Sequence, residues 1–191
     1  MVRLDRIITR SGDGGTTSLS DGSRLPKHHP LIAAIGAVDE ANTVLGMVRI
    51  EVLPEVLAEE LARVQNDCFD LGSDLATPPG GPYEAKIARI TAAQVLRLET
   101  AAERANAALV PLTSFVLPGG SRSAAWLHLA RTTVRRAERD LSAAIAALPE
   151  RAFNPECLRY LNRLSDLCFI WSRQCNDDGK QDVLWVPGRN G

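Results

Sequence analysis

The chain is poor in aromatic residues, which make up 5% of its 191 positions. Proteins that bind single-stranded nucleic acid stack bases on aromatic side chains, so this supply argues against that class of ligand. It also lacks an excess of positive charge, because 22 Lys and Arg against 23 Asp and Glu leave a net charge of −1. Without a basic field, neither nucleic acid nor an anionic membrane is an expected partner, and any anion must be gripped locally. The four cysteines, Cys68, Cys157, Cys168 and Cys175, include no C-x-x-C pair, and no histidine cluster stands at zinc spacing, so no metal-ligand set is expected. Cys168 and Cys175 would lie about 10 Å apart along one helix, too far for a disulfide. The cysteines read as small core hydrophobes in a reducing cytoplasm. The start, Met1-Val-Arg-Leu-Asp-Arg-Ile, has no signal-like apolar core, and no later run is read as long enough to span a membrane, so a soluble, cytoplasmic protein is expected. His28, His29 and His128 are expected on loops or helix surfaces. No Ser/His/Asp or Cys/His arrangement supplies a nucleophile, so any catalysis should rest on positioning and charge stabilisation, with the reactive atom brought by a cofactor or substrate.

What the chain does have is helical periodicity. With 45% hydrophobic residues it can bury one substantial core, and a single domain is expected over 1–191. Residues 1–30, rich in Gly, Ser, Thr and Asp, read as a structured loop, 31–176 as a helical bundle and 177–191 as a tail. Ile32, Ile35, Val38, Leu45 and Val48 share the face of a first helix that ends at Pro54. Leu57, Leu61, Val64, Cys68, Leu71 and Leu75 stripe a second, stopped by Thr77-Pro-Pro-Gly-Gly-Pro82. A third runs from a cap near Thr91 to about Leu109, a fourth from Ser121 to Leu148, and a fifth begins at the cap Asn154 with Pro155 at its first position. Leu158, Leu161, Leu164, Cys168, Trp171 and Cys175 line the fifth. Five amphipathic helices without a convincing strand pair predict an all-α up-and-down bundle with negligible sheet.

The fourth helix breaks its own pattern. Ala124, Leu127, Val134, Leu141, Ile145 and Leu148 step by three and four along one face, and the same stepping lands on Arg131 and Glu138. A charge on a buried seam is costly unless it is paired or acts on a ligand. Arg135, one turn beyond Arg131, adds a second guanidinium spaced to grip an extended polyanion. Asp39 in the first helix either pairs with Arg131 or sits on a solvated face. Asn162 and Asp166, one turn apart in the fifth helix, either read a ribose or base edge or bond within the helix. In the N-terminal loop, Thr9-Arg10-Ser11-Gly12-Asp13-Gly14-Gly15-Thr16-Thr17-Ser18 interleaves glycines with hydroxyls, as a phosphate-binding concavity requires, although a surface turn has the same composition. It is not a P-loop, since no strand precedes it and no helix opens from it.

Taken in order, Thr9-Arg-x-Gly-Asp-x-Gly-Thr-Thr, the Arg24–Lys27 segment, Val38-Asp-Glu-x-Asn42, Phe115-Val-Leu-Pro-Gly-Gly120, His128-x-Ala-Arg-Thr-x-x-Arg-Arg-Ala-Glu-Arg139 and Tyr160-Leu-Asn-Arg-Leu-Ser-Asp166 resemble the PduO-type ATP:cob(I)alamin adenosyltransferases over most of the chain. The resemblance implies a five-helix subunit in a homotrimer, with ATP and cobalamin bound at each subunit interface. It implies transfer of the 5′-deoxyadenosyl group to cob(I)alamin, with release of triphosphate. Magnesium would share the triphosphate charge, and the protein ligands of the ion are left open. Carried over by motif, the loop from Thr9 to Ser18 and Lys27 would wrap the triphosphate and ribose. Arg135, with Arg136, Glu138 and Arg139, would contact or support the nucleotide, and Asn162 would fix its adenosine part. Asp39 and Arg131 would form an interface salt bridge that shapes the site. Phe115 would fill the place of the lower ligand of cobalamin, favouring a four-coordinate, more easily reduced cob(II)alamin, with Phe169 on the same wall. Cys168 stands where the family more often has a bulkier apolar residue. A reductase and an adenosylcobalamin-dependent enzyme are the further partners such an activity calls for. The rival readings are a non-catalytic nucleotide or cobalamin carrier and a structural helical trimer.

Overall fold

Helices form where the apolar stripes place them, and their ends are chemically marked. The computed structural model describes residues 7–81 and 84–189. The first six residues of the loop, Pro82 of the helix-stopping segment and the last two residues of the tail therefore lie outside the described residues. The helices are α1 (Pro30–Arg49), α2 (Glu55–Ala76), α3 (Ala92–Asn106), α4 (Arg122–Ala147) and α5 (Pro155–Gln174). His29, in the bend before α1, caps that helix, its side chain accepting from the Leu31 N–H. Thr91 and Gln94 form a reciprocal capping box on α3, and Asn154 with Pro155 opens α5.

In space the order is α2–α1–α4–α5–α3, with α2 also touching α5. The α2 stripe from Leu57 to Leu75 is buried throughout, as are Leu127, Val134 and Leu141 of α4 and Leu161, Leu164, Cys168 and Trp171 of α5. Tyr160 is the largest wholly buried side chain. Its hydroxyl donates to Asp67 Oδ2 at 2.7 Å, and Gln94 and Arg97 from α3 reach the same carboxylate. Asp74, one helical repeat further along α2, accepts from Arg89 at 2.6 Å, the Ile90 N–H at 3.0 Å and Asn154 at 2.7 Å. These two satisfied carboxylates tie the α2–α5 contact to α3 and to the segment that precedes it.

Three expectations need correction. The chain contains an antiparallel pair, β1 (Thr16–Ser18) with β2 (Arg24–Pro26), in the register Thr17↔Leu25. A second, isolated bridge joins Val116 to Leu184. The tail is thus no appendage. Arg173, 4% exposed, pairs with Asp182 at 2.6 Å and donates to the Val110 carbonyl, while Asn176 donates to Asp182 and accepts from the Ser121 N–H. Finally, α1 reaches the length and mean hydropathy (1.5) of a membrane span, contrary to the expectation that no run would. Its apolar residues lie on two faces. Leu31, Ala34, Val38, Leu45 and Val48 are buried in the bundle, whereas Ala33, Gly36 and Met47, with Ile50 at the C-cap, are exposed.

Candidate functional site

The N-terminal loop is built by its own hydrogen bonds. Asp21-Gly22 turns the chain between β1 and β2, with Gly22 at φ +85° and Asp21 Oδ1 accepting from the Ser23 N–H and hydroxyl. Leu19 is buried beneath the turn, and Ser20 Oγ donates to the Ala76 carbonyl, which docks the hairpin on the end of α2. Thr9 and Ser11 share a hydroxyl contact at 2.9 Å, and Arg10 is held at φ 61°, a left-handed conformation that non-glycine residues seldom adopt. The Lys27 N–H donates to the Gly15 carbonyl at 2.9 Å, and its Nζ lies 3.0 Å from where a Cβ on Gly12 would stand. The Lys27 side chain therefore lies against the glycine loop at Gly12, while Thr17 and Ser18 stand opposite Leu25 and Arg24 on the hairpin. Arg24 stitches this loop together, its guanidinium donating to Thr16 Oγ1, Ser18 Oγ and the Ser11 carbonyl at 2.5–3.2 Å. Sequence reading gave Arg24 no separate role, although Thr-Thr-Ser and Arg-Leu-Pro around an Asp-Gly turn are a hairpin signal.

The second group lies on α4 and α5. Arg131 and Glu138 are both half-buried, while Arg135 and Arg139 are exposed and linked by a bond from Arg139 to the Arg135 carbonyl. Burial, and then neighbouring Arg135, push the Arg131 guanidinium below its ordinary pKa, and its Nε is buried with no hydrogen-bond partner. Asn162 Nδ2 donates to Glu138 Oε1 at 2.9 Å, so two of the expected nucleotide residues meet directly. Asp166, one turn along α5 from Asn162, lines a groove between α3 and α5. Within one chain Asp39 is exposed and forms no ion pair among the described residues, while its neighbour Glu40 pairs with Arg136 across α1 and α4. The single subunit therefore matches the solvated-face reading of Asp39.

Arg131 opens into a cavity of about 770 Å³ lined by Leu112, Ser114, Phe115, Val116, Phe169 and Trp185. Phe115, 77% exposed, stands 6.0 Å from Trp185. That ring is placed by the tail, because the Trp185 N–H donates to the Phe115 carbonyl at 2.7 Å and Ser114 Oγ donates to the Trp185 carbonyl at 2.7 Å. The Phe115 segment is set against α4 by Gly120 at φ +97°, where a Cβ would collide with the Asn176 side-chain amide. Behind the wall sits His128, 2% exposed and 6.2 Å from the Phe169 ring, with both ring nitrogens unpartnered. This corrects the expectation of a surface histidine. Burial, reinforced by Arg131 and opposed by Asp182, lowers its pKa and so favours the neutral ring. Cys168, also behind the wall, is wholly buried, and burial pushes its thiol up to about 12, so it acts as a packing residue. All four cysteines are free.

Among the described residues no hydrogen bond or ion pair joins the loop group, Thr9–Ser18 with Lys27, to Arg131, Arg135, Glu138 or Asn162. The loop group and the α4–α5 group are thus unlinked within one chain, and a largely apolar cavity lies beside Arg131 of the second. Among the described residues no group of three His, Cys, Asp or Glu could hold a metal ion. Magnesium fits this inventory only if phosphate oxygens and water supply most of its ligands, as that ion prefers.

The family model described as cobalamin adenosyltransferase matches residues 7–175. A corrinoid adenosyltransferase of Mycobacterium tuberculosis is 48% identical over 188 residues, covering 98% of this chain and 96% of that protein. A cobalamin adenosyltransferase of Cupriavidus metallidurans is 46% identical over 189 residues, covering 98% and 97%, and the human corrinoid adenosyltransferase is 34% identical over 190, covering 96% and 74%. Among solved structures, a phenylalanine-to-alanine variant of the PduO-type ATP:corrinoid adenosyltransferase of Lactobacillus reuteri, complexed with cobalamin and ATP, superposes with a TM-score of 0.84 at 33% identity, covering 94% of this chain and 99% of that one. An arginine-to-lysine variant of that enzyme complexed with ATP gives 0.82 at 33%, covering 94% and 100%. With a family model over most of its length and relatives of this identity, the chain belongs to the cobalamin adenosyltransferase family, of PduO type.

Proposed function

We propose that this chain transfers the 5′-deoxyadenosyl group of ATP to cob(I)alamin, and that it does so as a homotrimer in the cytoplasm. The observation that carries the reading is the cavity in which a half-buried, partly unpartnered Arg131 lies beside Phe115, Phe169 and Trp185. A desolvated cation facing an aromatic wall suits a substrate with a large apolar face and a second with a polyanionic tail.

The chemistry needs no nucleophile from the protein. The cobalt of the corrin substrate gives its electron pair to the ribose C5′, the C5′–O bond breaks, and triphosphate leaves with that bond's electrons. The chain aligns the two substrates and stabilises the charge that develops on the leaving group. Phe115 occupies the place of the lower cobalt ligand, and with Phe169 and Trp185 it keeps water from that face. Arg131 and Arg135 face the phosphates, Lys27 and the Thr9–Ser18 loop wrap them, and Glu138 with Asn162 holds the adenosine. Arg136 and Arg139 support this surface. Magnesium travels on the triphosphate and shares its charge. A reductase supplies the electron that turns cob(II)alamin into cob(I)alamin, and an adenosylcobalamin-dependent enzyme takes the product.

Trimer formation is supported by the lack, among the described residues, of any bond between the loop group and the α4–α5 group, and by the exposed Ala33, Gly36 and Met47 on α1 with Ile50 at its C-cap. Exposed Asp39 on the same helix is then free to reach Arg131 of a neighbouring copy. The deciding assay mixes the protein with ATP and chemically reduced cobalamin. A light-sensitive alkylcobalamin and stoichiometric triphosphate are expected, and folded protein that forms neither overturns the reading. A carrier would lose only affinity on Arg135→Ala, whereas an enzyme also loses turnover at saturating ATP.

A further inference from the structure

Asn162 has neighbours that tell the two ends of its amide apart. Its Nδ2 donates to Glu138 Oε1 on α4 at 2.9 Å, and its Oδ1 accepts from Arg163 Nη1 at 2.6 Å. A guanidinium can only donate and an ionised carboxylate can only accept. Turning the amide over would set its NH2 against a cation and its oxygen against an anion, so a single orientation is allowed. Arg163 is itself anchored, because its Nε donates to Glu99 Oε1 on α3 at 2.7 Å. Three helices thus converge on one amide.

Stability does not account for the outer part of this chain of bonds. The Arg163 and Glu99 side chains are 42% and 38% exposed, and ion pairs that meet so much water contribute little to folding. Glu99 lies outside every motif that carries the family resemblance. Each end of the amide, meanwhile, keeps one hydrogen-bonding position beyond those its neighbours use: one N–H and one oxygen lone pair.

We propose that Arg163, braced by Glu99, is a positioning residue that locks the Asn162 amide so that its remaining N–H and lone pair face the adenosine part of the nucleotide. This rests on the reading of Asn162 as an adenosine contact. The locked amide distinguishes partners that offer a matching donor and acceptor from those that do not, whether the edge belongs to the ribose or to the base. Without the lock the amide samples both orientations, and part of its selectivity is lost.

Steady-state kinetics with ATP, 2′-deoxy-ATP and ITP on full-length protein test this. Arg163→Met is expected to raise the KM for ATP about fivefold, the worth of one hydrogen bond, with kcat within about twofold of the parent. Its preference for ATP over 2′-deoxy-ATP or over ITP should shrink, the affected analogue showing whether ribose or base is read. Arg163→Gln, whose amide can still donate to Asn162, should recover most of the loss, and Glu99→Gln should give a smaller change in the same direction. Thermal unfolding should not move. If Asn162→Ala raises the KM while Arg163→Met leaves both KM and analogue preference at parental values, the positioning role is overturned. If Asn162→Ala itself leaves the KM unchanged, the adenosine reading of Asn162 falls instead. Should Arg163→Met fail to fold, Glu99→Gln takes its place: a raised KM with weakened analogue preference supports the role, and parental values overturn it.

Discussion

Asp67 and Arg131 are both ionisable groups held against the core, and their surroundings differ. Around Asp67, on the α2–α3–α5 side, Tyr160, Gln94 and Arg97 satisfy the carboxylate. Arg131, on the α4 face, has a buried Nε with no partner and a neighbouring arginine that repels it. His128, one turn earlier, is buried with neither ring nitrogen bonded. A satisfied buried charge holds helices in register, whereas an unsatisfied one is tolerated where something outside the chain completes it. The bundle thus has a side finished within one subunit and a side left open.

The strongest test of this contrast is Asp67→Ala. Stripping the carboxylate from Arg97 and Tyr160 should cost about 3–5 kcal/mol of unfolding free energy in a urea titration, as for other broken buried pairs. The fraction that stays folded should bind ATP normally. Arg131→Met should do the reverse, lowering kcat by about a hundredfold or more as expected for a lost transition-state donor. The unfolding free energy of that variant should hold or rise, and a parallel fall would dissolve the distinction between the two sides.

His128 gives a smaller effect whose sign can be worked out. Its folded-state pKa lies below the ordinary 6.5, so in the window beneath 6.5 the unfolded chain binds a proton that the folded chain refuses. Its contribution to stability is therefore present above that pH, is lost as pH falls, and levels off below the folded value. Urea melts at descending pH should show this slope, and His128→Asn should remove it. Smallest of all, Arg63→Ala cuts a pair with Glu60 whose arginine is 61% exposed, and should change stability by no more than about 0.5 kcal/mol.

The finished side was largely legible in the sequence, because local chemistry dictates it. The unbroken α2 stripe, the Thr91 capping box and Asn154-Pro155 each declare a helix within a few residues. The seam position of Arg131 was legible as well, since a charge at an apolar step stands out. Contacts between residues far apart in the chain were not. Asp67 finds Tyr160 across 93 positions, and Val116 meets Leu184 from beyond the last helix. Three-residue strands such as β1 and β2 carry too little periodicity to register, so that the Asp21-Gly22 turn is the only mark of their hairpin, and a histidine has the same sequence signature whether buried or exposed. The Asp39 pairing is illegible in one chain for a different reason, since the partner proposed for it belongs to a second copy.

Trp185 stands at the rim of the apolar cavity, its ring beside Phe115 and its main chain bonded to the same residue. Indole fluoresces in the near ultraviolet, where coloured corrins absorb. Occupancy of that cavity by a corrin would therefore dim this indole's emission, Trp185 being the tryptophan that lines it. The corrin site proposed for this cavity would thereby carry a built-in optical gauge, readable without label or coupled assay.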